Sequence, residues 1–96
     1  MIVSGDFNDT PESEVIRVLR YNNKMGLTST KGFEAPTLFV QLEKKKLVLQ
    51  LDYTFFEKEK LDILADLRDV PKEAYEKYSL PNQFNPSDHL PLYTIF

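Results

Sequence analysis

The 96-residue sequence has no cysteine and a single histidine, His89. Without thiols there is no disulfide framework, no thiolate nucleophile and no zinc finger of any cysteine-containing pattern. A catalytic metal held mainly by carboxylates stays open. Long apolar runs are missing too. The longest uncharged apolar stretches, such as Ala35 to Leu42, fall well short of the roughly 18 residues of a membrane span. The expectation is a soluble chain with no membrane partner. The start, Met1-Ile2-Val3-Ser4-Gly5-Asp6, lacks the basic and apolar regions of a secretory signal. That sets an intracellular address as the expectation, the cytoplasm first and the nucleus second. Positive charge is in deficit: 12 Lys+Arg stand against 15 Asp+Glu, for a net charge of −3. This argues against non-specific electrostatic binding to nucleic acid, which needs a local surplus of Lys and Arg. The one basic run, Lys44-Lys45-Lys46, reads as a solvated hairpin turn. No Gly-x-Gly-x-x-Gly, P-loop or Gly-x-Ser-x-Gly elbow occurs, so nucleotide cradling and serine hydrolysis fit poorly.

What is present is 42% hydrophobic and long enough for one domain, which would bury about 65% of its unfolded surface. No repeat, low-complexity tract or linker divides it. Ile2 and Val3 open a strand whose extended geometry puts Ser4, Asp6 and Asn8 on one face and Val3, Gly5 and Phe7 on the other. A helix is expected from Pro11 to Asn22, with Thr10 as N-cap, Pro11 at the first position and Glu12 and Glu14 in the first turn. Val15, Val18, Leu19 and Asn22 fall at i, i+3, i+4 and i+7, so an apolar stripe covers its first turns. Asn23 to Pro36 reads as a loop. Thr37 to Glu43 and Leu47 to Phe56 form a hairpin across the lysine turn, with Asp52 on the face of the second run opposite Leu47, Leu49, Leu51, Tyr53 and Phe55. Leu61 to Leu67 alternates as a further strand, with a short helix as competitor. A short helix runs from Asp69 and Pro71 to Tyr78, and Leu90 to Phe96 is a last strand.

Three places put acids where a bland surface would not need them: Gly5-Asp6-Phe7-Asn8, Asp52 inside an apolar strand, and Ser87-Asp88-His89. Burying Asp52 is costly without a hydrogen-bond or charge partner. An Asp and an Asn two apart on a strand end point the same way, so a carboxylate and an amide can converge on one water or metal ion. A histidine held by a carboxylate stays protonated near neutral pH and can donate to a phosphoryl oxygen as charge builds there. The set fits metal-assisted hydrolysis of phosphodiesters or phosphomonoesters.

The motifs Ile2 to Ser13, Leu51-Asp52-Tyr53-Thr54-Phe55-Phe56, Leu80-Pro81-Asn82 and Pro86-Ser87-Asp88-His89-Leu90-Pro91-Leu92 resemble the endonuclease/exonuclease/phosphatase superfamily. Within it they are most similar to the branch of carbon catabolite repressor-type deadenylases, nocturnin, Angel and the 2′-phosphodiesterases. The resemblance implies Mg2+, with Mn2+ able to replace it, and an RNA or nucleotide-like phosphate as substrate. It implies that Asp6 accepts a proton or orients water and holds a metal ion, and that Asn8 positions the nucleophile or a phosphate oxygen beside that metal. Asp52 would orient His89, His89 would contact the scissile phosphate, and Asp88 would assist the metal or water.

The family's first-half motifs have no counterpart here, so the resemblance implies the C-terminal portion of a longer domain, inactive without its N-terminal half. The implied fold is α/β (α+β): half of a four-layer α/β sandwich, mainly one mixed sheet with helices on one face. The other face would pack on the missing half, leaving leucines and aromatics of the hairpin unusually exposed. A deadenylase-like 3′-exoribonuclease fragment is the leading expectation. The alternative is a non-catalytic remnant or protein-interaction module. In the poly(A)-degrading members an aromatic precedes the Asp52-type motif; here Leu47 stands in that stretch.

Overall fold

Period-two alternation makes Ile2–Asp6 a strand, β1, in the computed structural model, which describes residues 1–21, 24, 26–31, 35–67 and 69–96. Val3 and Phe7 turn inward and Ser4 and Asp6 turn away, as the alternation requires. The first helix, α1, covers Glu14–Tyr21. It begins later than expected because Ser13, not Thr10, caps it: Ser13 Oγ accepts the Ile16 N–H at 3.3 Å. Thr10 closes a preceding turn, with its carbonyl accepting Ser13 N–H at 2.9 Å and its hydroxyl donating to Glu12 at 2.5 Å. The shift changes which side faces the core. Ile16 is fully buried, while Val15 and Val18 are about half exposed at 51% and 45%. The expected stripe keeps only Leu19 inside, and Asn22 lies outside the described residues.

Within the expected loop, Leu27–Ser29 forms a short strand, β2, and Gly32 falls outside the described residues. β3 (Leu38–Gln41) and β4 (Lys46–Leu49) make the expected hairpin, in register Leu38 to Leu49 and Gln41 to Lys46. Lys44 and Lys45 lie exposed in its turn, and Lys46 belongs to the strand. The long second run does not continue in one sheet. The chain leaves β3 at Leu49, whose carbonyl accepts Thr37 N–H, and joins β1 at Leu51, whose carbonyl accepts Phe7 N–H. Between them Gln50 is buried, its Oε1 accepting Ala35 N–H at 2.9 Å. The following strand, β5 (Asp52–Glu57), is the centre of an antiparallel sheet ordered β1-β5-β2.

The predicted strands over Leu61 to Leu67 and Leu90 to Phe96 shrink to β6 (Ala65–Asp66) and β7 (Thr94–Ile95), paired antiparallel. A turn at Glu57 takes up the first residues, its carbonyl accepting both Lys60 and Leu61 N–H at 3.0 Å, and Pro91 cannot donate to a ladder. Between the two strands α2 covers Lys72–Lys77, with Pro71 at its N-cap and Tyr78 at its C-cap. Lys31, 6% exposed, ties the β2 connection to the β6 region through Asp66 at 3.2 Å and Asp69 at 3.4 Å.

All strand pairings among the described residues are antiparallel, in three separate sheets rather than one mixed sheet. The chain is a small α+β protein. One face of the β1-β5-β2 sheet carries the core of Ile16, Leu27, Tyr53 and Phe55, against which Val3, Phe7 and Leu19 pack. Phe7 stands edge-on to Tyr53 and Phe55, with centroids at 5.6 and 5.8 Å. The expected exposure of the hairpin is not found. Leu38 and Phe39 are 8% and 4% exposed, Leu47 and Leu49 are half-buried, and Leu42 alone among the leucines of the hairpin is open. Those side chains pack within the chain, and the open apolar groups lie elsewhere, at Leu64, Tyr21 and Phe84. No helix among the described residues is long and apolar enough to cross a membrane.

Candidate active site

Antiparallel register sets the first relationship of the site: Asp6 at the end of β1 lies directly opposite Asp52 at the start of β5. Both side chains leave the sheet on the face away from the aromatic core, beside a Ser4–Thr54 hydroxyl pair at 2.8 Å. Gly5, at φ +150°, supplies a backbone angle that side-chain-bearing residues rarely adopt. Asn8, at φ +52°, then turns the chain back so that its N–H meets Asp6 Oδ1 at 2.8 Å. Asn8 therefore ends the strand pattern, yet stays exposed at the side of Asp6.

His89 arrives from the other end of the chain. It bridges to Leu38, and Leu90 N–H donates to Thr37 O at 2.7 Å, so the start of β3 carries the imidazole. Ser87 Oγ accepts His89 N–H at 3.1 Å, and Asn85 Nδ2 donates to the carbonyls of Ser87 and His89 at 2.8 and 3.0 Å. The ring's Nδ1 lies 2.7 Å from Asp52 Oδ2. Its Nε2 edge faces Asp6 Oδ2 and Asp88 Oδ1, each at 3.9 Å. Three carboxylates thus surround one imidazole. The hydrogen bond to Asp52 raises the His89 pKa above its ordinary 6.5, the Asp52, Asp6 and Asp88 charges add to this, and partial burial opposes it.

Asp52 is engaged through one carboxylate oxygen. Its Oδ2 also accepts the Thr37 hydroxyl at 2.6 Å, and Thr37 Oγ1 accepts the N–H groups of Leu51 and Asp52 at 3.1 and 3.2 Å. Thr37 is 2% exposed. It locks the carboxylate that locks the imidazole, and the sequence offered no sign of it, because a threonine after Pro36 at a strand start is ordinary strand composition. The side chains of Asn85 and Ser87 also place His89.

Asp6, Asp52, Asp88 and His89 are therefore brought together, with Asn8 beside them. Ser4, Gly5, Asp6, Asp52, Leu90 and Leu92 line a small cleft of about 160 Å³ over the two strand carboxylates. Ligand atoms of Asp6, Asp52 and His89 lie within 4.8 Å of one another. Asp52 Oδ2 and His89 Nδ1 are nevertheless committed to each other. Oxygens open to a cation include those of Asp6 and Asp88, whose side chains are 40% and 59% exposed. Carboxylate oxygens completed by water are the hard donors that Mg2+ takes.

Scans of known protein families, curated proteins and solved structures each return no match to this chain.

Proposed function

We propose that the chain carries the C-terminal part of a Mg2+-dependent phosphodiesterase site, deadenylase-like in type, acting on RNA or a nucleotide-like phosphate inside the cell. The observation that carries this reading is the His89 ring held by Asp52 at 2.7 Å with its other edge toward Asp6 and Asp88. The resemblance to the endonuclease/exonuclease/phosphatase superfamily adds the need for an N-terminal half. Asp52 holds the imidazole in one orientation and stabilises its protonated form. His89 Nε2–H then donates to a phosphate oxygen as negative charge gathers there. Asp6 orients and deprotonates the attacking water, and Asn8 adjoins it to position that water or a phosphate oxygen. Mg2+ or Mn2+ would be held by Asp6, Asn8 and Asp88, where it would neutralise phosphate charge and acidify water. The acid surplus of the chain suits this chemistry, because a bound cation reverses the local sign.

The test is a Mg2+ titration of the chain followed by NMR, alone and with a polypeptide supplying the missing half. Shifts confined to Asp6, Asn8, Asp88 and His89, and lost in Asp6→Ala, are expected. Unchanged spectra at those residues in both arms overturn the reading. Robust Mg2+-dependent hydrolysis of oligoadenylate by the chain alone, abolished by Asp6→Ala, would overturn the need for a second half. A non-catalytic interaction module is the second reading, favoured by Val15 and Val18 standing open on the outer side of α1. It predicts a protein partner whose binding shifts those residues and leaves His89 unmoved.

A further inference from the structure

The segment 80–90, which delivers His89, is fixed at both ends by main-chain bonds to β3 and the residue before it: Leu80 N–H to Phe39 O and Leu90 N–H to Thr37 O, each 2.7 Å. Asn82 closes it from inside. Its Oδ1 accepts the N–H groups of Phe84 and Asn85 at 2.9 and 3.0 Å, and its Nδ2 donates to Ser79 O at 3.1 Å. The loop holds its shape without help from the Phe84 ring, which is 87% exposed at its tip. Tyr78, at the foot of the loop, is 56% exposed.

Between these rings runs a groove of about 800 Å³, floored by Phe39, Leu80 and Leu90. Leu90 also lines the cleft over Asp6 and Asp52, and Asn85, on the groove wall, bonds the His89 carbonyl. Groove and cleft thus share Leu90 in their walls. The charge changes sign along this path. Three carboxylates surround His89, whereas Lys77 Nζ lies 5.6 Å from the Tyr78 ring and Lys46 Nζ bonds the Tyr78 carbonyl. Gln83, exposed between the rings, carries an amide with both donor and acceptor.

A flat π face with hydrogen-bonding edges, joined to an anion, matches this sequence of surfaces. We propose that the groove is the nucleobase subsite beside His89, with Phe84 and Tyr78 as stacking platforms and Lys77 and Lys46 drawing the adjoining phosphate. The occupant is a base of single-stranded RNA, and the proposal rests on the phosphodiesterase reading of the His89 cluster. Aromatic rings open to solvent beside cations are how single strands are held, because every base has a π face. A purely aliphatic peptide would use the apolar floor and leave the lysines without a role.

The full 96-residue chain is titrated, with NMR of aromatic and amide groups, against inorganic phosphate and against a short oligoadenylate. Expected is a shift of the His89 ring with both probes, and of the Phe84 ring and Gln83 amide with oligoadenylate alone. Phe84→Ala weakens oligoadenylate roughly 5- to 150-fold, the loss of one base–aromatic stack, while Phe84→Trp retains it. A still Phe84 ring and unchanged affinity in Phe84→Ala and Tyr78→Ala overturn the subsite. The His89 response to phosphate then leaves the reading of the cluster standing. A His89 ring unmoved by either probe overturns that reading itself, and a Phe84 shift without it shows a base bound away from the cluster, which also overturns the subsite.

Discussion

Asp6 and Asp52 stand directly opposite each other across the β1–β5 ladder, with the His89 ring bonded to one and facing the other. Like charges directly opposed across strands are destabilising. Here the His89 ring, whose hydrogen bond to Asp52 measures 2.7 Å, offsets the repulsion when it is protonated. The cluster is at once an electrostatic liability of the sheet and the centre of the proposed site.

The lone imidazole titrates above 6.5, and Asp52→Asn lowers its pKa by removing the bond that raises it most. Because the folded value is raised, the stability it contributes is full below about 6.5 and is lost as pH rises through the folded value. Ring-proton NMR gives the titration. Thermal melts should show the gap between the parent and Asp52→Asn widest at mildly acidic pH and narrowing above neutrality.

Thr37→Val leaves Asp52 Oδ2 without its hydroxyl donor and two main-chain N–H groups without their acceptor. The expected cost is about 1–3 kcal/mol in urea unfolding. Thr37→Ser, which keeps the oxygen, should recover most of it, and the His89 titration should follow the same order.

Burial pushes the Tyr53 phenol up to about 12, and its hydroxyl donates to the carbonyls of Asp9 and Gln50 at 2.9 Å. A raised acid pKa stabilises the fold fully below the unfolded value near 10 and fails as pH climbs through about 12. Ultraviolet titration of the five tyrosines should show one late step coinciding with alkaline unfolding. In Tyr53→Phe that step disappears.

Ile16→Ala should cost about 2–5 kcal/mol, as expected for a fully buried aliphatic at 0% exposure. Val15→Ala, one residue away on the open side, should stay within about 0.5 kcal/mol of the parent apart from propensity. Equal losses at both positions, read by urea denaturation, would contradict the helix phase described above.

That helix phase shows where the sequence was readable. The existence of α1 followed from its composition, but both Thr10 and Ser13 are good caps, and only the Ser13 hydroxyl bond to Ile16 N–H selects the register. The hairpin turn and the inward Val3 and Phe7 were legible because period two is local. The change of sheet at Gln50 was not, since the bond from Ala35 N–H that turns it inward comes from a distant segment. Of the site, Asp6, Asn8, Asp52, Asp88 and His89 could be named from their chemistry. Thr37 could not, because its importance lies wholly in what it touches.

The two main-chain bonds that anchor the 80–90 loop on β3 and the residue before it separate what can change from what cannot. A main-chain donor survives every substitution except proline, so the side chains at Gln83 and Phe84 are free to drift while the backbone still delivers the imidazole to Asp52. On the proposed reading chemistry and preference are thereby separable: a new loop tip can redirect the surface toward a different molecule without disturbing the charges behind it.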